Sequence, residues 1–197
     1  MRKLVVILDP AHGADIPGKC APDMSHREYK WSRERVSQLL PMLQKEKFTV
    51  HISNPTENEI GLSKRVKATN AFSGEKKFFL SLHNNAAGNG QWMNARGFSV
   101  YTTKGQTKSD HYAEILFQEL KKTFIGIEGF KERKDLSDGD SDNEANFTVL
   151  MCNCPAVMIE WLFQDNKDDL VLIKDKAINE RLCQAIVTAI IKIDEIA

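Results

Sequence analysis

The stretch KLVVILDPAHG, residues 3–13, runs from a continuous apolar segment straight into an aspartate, a proline and a histidine. An apolar run of that length before a turn signal reads as a β-strand covered on both faces, the pattern of a mostly parallel sheet. Similar runs recur at 48–53 (FTVHIS), 77–83 (KFFLSLH), 97–103 (GFSVYTT), 147–151 (FTVLM) and 156–163 (AVMIEWLF). Helical patterns lie between them. From Glu28 to Lys45, apolar Val36, Leu39, Leu40 and Leu43 share one helical face, and Pro41 is expected to kink or split the helix. A shorter helix is expected over 62–72, and a third is expected to be capped by Ser109 or Asp110. A last helix, about 176–195, carries the stripe Ile178, Leu182, Ile186, Ile190 and Ile193. The alternation predicts a single α/β domain over 1–197, with a mostly parallel central sheet of about six strands and helices on both faces. Two stretches interrupt it, 10–27 and 125–146. The second is rich in Gly, Asp and Ser and reads as a surface loop beside the functional site.

Composition narrows the function. The chain has 197 residues, with 27 basic and 27 acidic side chains. Zero net charge argues against bulk attraction to nucleic acid or an anionic membrane. No segment approaches the ~18 apolar residues of a membrane span. The apolar run in MRKLVVILDP is too short for a signal-peptide core, so synthesis in the cytoplasm without a signal peptide is expected. The four cysteines, Cys20, Cys152, Cys154 and Cys183, do not form a disulfide framework. Cys152-Asn153-Cys154 has the look of half a metal site, but a second pair is missing. Cys20 near His12 allows a Cys–His pair, for which no orienting third group is evident. No G-x-S-x-G elbow or phosphate-binding glycine loop is present.

Three strands end in ionisable residues: the first at His12, the third at His83 in SLHNN, and the last with Glu160 inside AVMIEWLF. In parallel α/β sheets, ligands gather beyond the carboxyl ends of strands. Glu28, at the start of the first helix, follows the same edge. Two histidines and a carboxylate with one position open make a catalytic zinc site. Each residue also has an ordinary reading: a turn-capping histidine, or a helix-start acid favoured by the dipole. Glu160 fits such a reading least, since an acid amid Val, Met, Ile, Trp and Leu needs a partner or a task.

LDPAHG, HREYKW, SLHNNA and PAVMIEWLFQDN, in that order, resemble successive motifs of the zinc-dependent N-acetylmuramoyl-L-alanine amidases of the amidase_3 type. The family's usual wording is close to DPGHGG, a Glu before the first helix, SIHANA and PAVLVEVGFLSN. The resemblance implies that His12, Glu28 and His83 bind Zn2+ and that Glu160 is the catalytic carboxylate. Glu34 and His26 compete with Glu28 for the middle position. Asn85, Ala86 and Asn166 match positions near the site. Ala11 and Ala14 stand where the family usually has glycine, which is tolerable at Ala11 only without positive φ. Trp161 replaces a smaller residue and is expected either to wall the groove or to pack in the core.

The implied reaction is hydrolysis of the amide between N-acetylmuramic acid and L-alanine in peptidoglycan. Ala11 and Gly13 are expected to leave room around His12, and Asp9 to accept from its second ring nitrogen. Trp92, Arg96, Lys131 and Arg133 are candidate groove residues. The setting implied is a phage-type lysin, an endolysin that reaches the wall through a separate membrane lesion; a bacterial enzyme lacking its export signal here is the alternative. A zinc carboxypeptidase or deacetylase, or a non-catalytic peptidoglycan-binding module, remain competing functions. No membrane insertion is expected, and the oligomeric state is not legible.

Overall fold

The computed structural model describes residues 2–74 and 76–197. Six strands form one sheet: β1 (Leu4–Pro10), β2 (Thr49–Ile52), β3 (Lys76–Asn85), β4 (Ser99–Thr102), β5 (Asn143–Glu144) and β6 (Ala156–Phe163). Their order is β2-β1-β3-β6-β4-β5. β2, β1, β3 and β6 run parallel, β4 is antiparallel to β6, and β5 is parallel to β4. The helices are α1 (Glu28–Lys45), α2 (Leu62–Ala71), α3 (Lys108–Leu120), α4 (Lys167–Lys174) and α5 (Lys176–Ile196). The mostly parallel α/β architecture expected from the sequence is the one observed.

Side chains alternate across a strand, so parity sorts the core. Val6 and Leu8 of β1, Phe78, Leu80 and Leu82 of β3, and Val157, Ile159 and Trp161 of β6 enter a large core with α1, α3 and α5. The other parity contributes Ile7, Phe79, Ala156 and Met158 to a smaller core on the opposite face. A 3-10 turn, Thr148–Leu150, closes that core with Val149 and Leu150, and α2 packs beside it. Two residues further along this thin face stand Asp9, Ser81 and Glu160, and beyond Ser81 comes His83. Polar side chains thus continue the smaller core at the carboxyl edge of β1, β3 and β6.

Some expectations are corrected. FTVLM, 147–151, is not a strand: its centre is the 3-10 turn, and the edge position belongs to Asn143–Glu144. A short apolar run has no periodicity to separate a strand from a buried turn. α1 runs unbroken through Pro41, which lies on the exposed face, where water can serve the carbonyl left without an N–H donor. Thr107, not Ser109 or Asp110, is the N-cap of α3; Asp110 completes its capping box. α4 was not expected. Asn166 caps it, accepting from the N–H groups of Asp168 (3.0 Å) and Asp169 (3.1 Å). Among the described residues, no helix is long and apolar enough to cross a membrane.

Candidate metal centre

β1 hands the chain to His12 through a left-handed backbone (φ 48). Ser32 Oγ in α1 accepts from the Ala11 N–H at 2.8 Å and donates to the Leu82 carbonyl at 2.7 Å, tying the ends of β1 and β3 together. Arg33 donates to the carbonyls of Ala11 (3.1 Å) and His12 (3.0 Å). Buried Arg65 of α2 donates to the His12 carbonyl at 2.9 Å and also to that of Pro10. The carbonyls of this turn are therefore held by two guanidinium groups, which fixes the backbone that carries the imidazole.

Glu28 opens α1 and is 2% exposed. Its Oε1 lies 2.9 Å from His83 Nδ1 and 3.3 Å from His12 Nε2, and it accepts from the Asn84 N–H at 3.2 Å. Gln164 Nε2 donates to its Oε2 at 3.2 Å. The two imidazole rings meet edge to face, with centroids 5.0 Å apart. Burial pushes the Glu28 carboxyl up, but the hydrogen bonds and charge of His12 and His83 reverse this and hold it well below the usual carboxylate range. Burial pushes His83 down, yet Glu28 raises it above the ordinary histidine value. Glu28 and His83 thus hold each other in their charged forms.

Glu160 pairs in register with His83 on the neighbouring strand, on the same face of the sheet. It is the least buried side chain of β6, and its Oε2 is buried with no partner. Burial, followed by the charge of Glu28, raises its pKa to about 7, against the opposing pull of His83 and Lys19. Just beyond it the register shifts, with Leu162 in a left-handed backbone (φ 58). Gln164, four residues on from Glu160, reaches Glu28 from beyond this shift. All four acidic and histidine side chains line one cavity of about 900 Å³, whose wall also includes Lys19, Asn85, Asn146 and Phe147.

The structure separates these residues from the other sequence candidates. Glu34 is exposed and pairs with Arg35 at 3.4 Å. His26 is buried, with its Nε2 2.9 Å from Asn84 Oδ1; the Asn84 amide in turn donates to the Trp161 carbonyl at 2.7 Å. Neither joins the cluster. Asp9 does not reach the His12 ring as expected: it accepts from Ser53, from Ser81 (2.6 Å) and from Arg65 (2.9 Å), so it orients Arg65 instead. Gly13 makes room for the backbone of Glu59, not for a ligand; an added Cβ would lie 2.0 Å from the Glu59 nitrogen. Ala11 has no positive φ, so its methyl group is accommodated.

Trp161 is fully buried against Phe124 (4.8 Å) and Phe98 (5.8 Å), which makes it core and not groove. Trp92, Arg96, Lys131 and Arg133 do not line the cavity. Arg96 is committed to Asp168 and Asp169, each at 3.1 Å. Cys152 and Cys154 border the smaller core and join no group of three metal-binding side chains among the described residues. Cys20 lines the cavity with its sulfur 3.3 Å from that of Met24. Gln164, Asn84 and Arg65 were not singled out from sequence. Only Gln164 and Asn84 had a signal, their places in FQDN and SLHNN.

The donor set suits zinc. Ligand atoms of His12, Glu28 and His83 lie within 4.8 Å of one another. Zinc bonds of about 2.0–2.2 Å place tetrahedral donors roughly 3.3 Å apart. The contacts of 3.3 Å and 2.9 Å to Glu28 are close to that spacing.

A profile of the Amidase_3 family, described as N-acetylmuramoyl-L-alanine amidase, matches residues 6–192. The probable cell wall amidase LytH of Staphylococcus saprophyticus is 27% identical over 191 residues, which are 95% of this chain and 57% of that protein. The chain thus spans little more than half the length of the curated relatives it matches. The N-acetylmuramoyl-L-alanine amidase from Clostridium difficile 630 superposes with a TM-score of 0.83 at 23% identity, over 98% of this chain and 97% of that one. The CwlD amidase from Clostridioides difficile, in complex with the GerS lipoprotein, gives 0.81 at 19% identity, over 99% and 100%. These two likenesses speak for the fold. The family profile spans every residue of the cluster, and on it the chain belongs to the Amidase_3 family of N-acetylmuramoyl-L-alanine amidases.

Proposed function

We propose that this chain is a catalytic domain, 1–197, that hydrolyses the amide between N-acetylmuramic acid and L-alanine in peptidoglycan, with Zn2+ held by His12, Glu28 and His83. The observation that carries the proposal is the convergence of these three side chains beneath a carboxylate, Glu160, that has a buried oxygen without a partner. When bound, zinc lowers the pKa of water to about 7 and polarises a carbonyl. Glu160, poised near neutrality, takes the proton from the attacking water and delivers it to the departing alanine nitrogen. Gln164 and the Asn84 N–H hold the Glu28 carboxylate in one orientation. Arg65 and Arg33 hold the turn that carries His12. The site of action on this reading is the cell wall, as for the cell wall amidases to which the chain is similar.

Metal analysis of the purified chain, alongside mass spectrometry of digested peptidoglycan, tests the proposal. It expects one zinc per chain and a product in which L-alanine gains a free amino terminus while the lactyl group stays on the sugar. Cleavage elsewhere in the stem peptide would indicate a carboxypeptidase. Loss of acetyl groups would indicate a deacetylase. Wall binding without cleavage would indicate a non-catalytic module.

A further inference from the structure

A second group of acids converges at the far edge of the sheet. Asp110, Asp140 and Asp142 bring carboxylate oxygens within 4.8 Å of one another. Asp110 lies in the first turn of α3; Asp140 and Asp142 belong to DGDSDNE, residues 138–144, which leads into β5. Donors nearby are few, and the Thr107 N–H serves Asp110 Oδ2 in the capping box of α3. Thr102 Oγ1 lies 3.0 Å from Asp110 Oδ1 and 2.6 Å from Asp142 Oδ2, but a hydroxyl has one hydrogen and satisfies only one of them. Gln106 Nε2 donates toward Asp138 at 3.0 Å and Asp140 at 3.3 Å. Among the described residues, none of the salt bridges involves the three acids. An independent observation points to what is needed. Asp142 is 1% exposed, and its Oδ1 is buried with no hydrogen-bond partner. Asp140 Oδ1 is buried and unpartnered as well. A carboxylate oxygen shut away from water requires a cation or a proton.

We propose that Asp110, Asp140 and Asp142, with the Thr102 hydroxyl oxygen, form a calcium-binding site distinct from the His12, Glu28 and His83 cluster. Every donor is a hard oxygen, which selects against the metals that prefer nitrogen and sulfur. Calcium bonds of about 2.3–2.6 Å set opposite ligands roughly 5 Å apart, so oxygens within 4.8 Å of one another can share one ion, whereas magnesium demands tighter octahedral geometry. Alternate acids at 138, 140 and 142 present carboxylates from a short loop, as calcium loops do. Binding here joins that loop to α3 and the end of β4. The chain then continues to Asn146, Phe147, Thr148 and Val149, which line the catalytic cavity, so the ion anchors one wall of the cleft. Without calcium the cluster's other recourse is a shared proton, since burial and then Asp140 push the Asp142 carboxyl up to about 7.

Isothermal titration of CaCl2 into the full zinc-loaded chain, in calcium-free buffer at neutral pH, decides between these. The wild type is expected to bind one equivalent of Ca2+ and to melt at a higher temperature with it. D142N is expected to bind at least about tenfold more weakly, because ligand charge sets calcium affinity. H12A is expected to lose zinc and keep calcium, which separates this site from the amidase proposal. D140N, at a less buried position, serves if D142N does not fold. The inference is overturned if the wild type takes up no Ca2+ at millimolar concentration, or if both aspartate variants bind it as the wild type does.

Discussion

Glu160 interrupts a strand whose other seven side chains are buried, and on the proposed function that one residue carries the proton transfer. A glutamine there keeps the shape and removes the proton transfer. Glu160→Gln is expected to lower kcat by about 10²–10⁴ while zinc content stays at the wild-type level; a matching loss of zinc would reassign Glu160 as a ligand. Its raised pKa also gives a stability prediction for the cation-free protein. With a folded pKa of about 7, Glu160 keeps a proton that the unfolded chain releases near pH 4.5. The native state therefore binds more protons across that window, and stability falls as pH rises through it. Glutamine does not titrate. Cation-free Glu160→Gln is thus expected to gain on the wild type by about 2 kcal/mol between pH 5 and pH 8, or roughly 5 °C in Tm. An unchanged difference across this range, measured by thermal melts, would refute the raised pKa.

At the scale of elements, α2 matters through one side chain. Arg65 is 1% exposed and links α2 to the end of β1 through Asp9, the Pro10 and His12 carbonyls, and Glu59, whose Oε2 lies at 2.6 Å. Removing it leaves buried Asp9 with two hydroxyl donors and no cation, a loss of about 3–5 kcal/mol. Arg65→Ala is expected to lower Tm by roughly 10 °C and to weaken zinc binding, because the turn carrying His12 loses a support. Arg65→Lys keeps the charge but loses the planar fork, so it is expected to recover only part of either. Urea melts and zinc titration measure both effects. This contrast also marks what the sequence could disclose. β1, β3 and β6 were legible because apolar runs identify strands covered on both faces, and His12, His83 and Glu160 were legible because they end or interrupt those runs. Arg65 was not: Asp9, Pro10 and His12, which it ties to α2, lie 53 to 56 positions away, and only folding joins them. The turn at Thr148–Leu150 was misread because burial without periodicity looks the same in a strand and a plug. α4 was missed because it has eight residues, starts within four residues of β6 and is separated from α5 only by Asp175.

Across the whole molecule, the large core lies on one face of the sheet, and the candidate ligand His83 and Glu160 stand on the other. α1, α3 and α5 bury one face; of the candidate ligands only Glu28 belongs to these helices, and Arg33 of α1 holds the His12 carbonyl. The thin face carries the small core, the cavity and the acids and imidazoles around it. On the proposed function, zinc should therefore set activity and add stability without being required for folding, in contrast with small zinc domains that unfold when the metal leaves. A chelator is expected to abolish peptidoglycan hydrolysis and to leave the far-UV circular dichroism unchanged at 25 °C. It should lower the unfolding free energy, and Tm with it, by the linkage contribution, about 2.7 kcal/mol where free zinc stands at a hundredfold excess over Kd. Added Zn2+ should restore both activity and Tm. If the chelated chain lost its circular dichroism, the ion would be holding the sheet edge together, and the large core would be insufficient to sustain the fold. If it stayed folded and still hydrolysed the wall, His12, Glu28 and His83 would be a hydrogen-bonded cluster rather than a metal centre, and the proton transfer assigned to Glu160 would need another source of activated water.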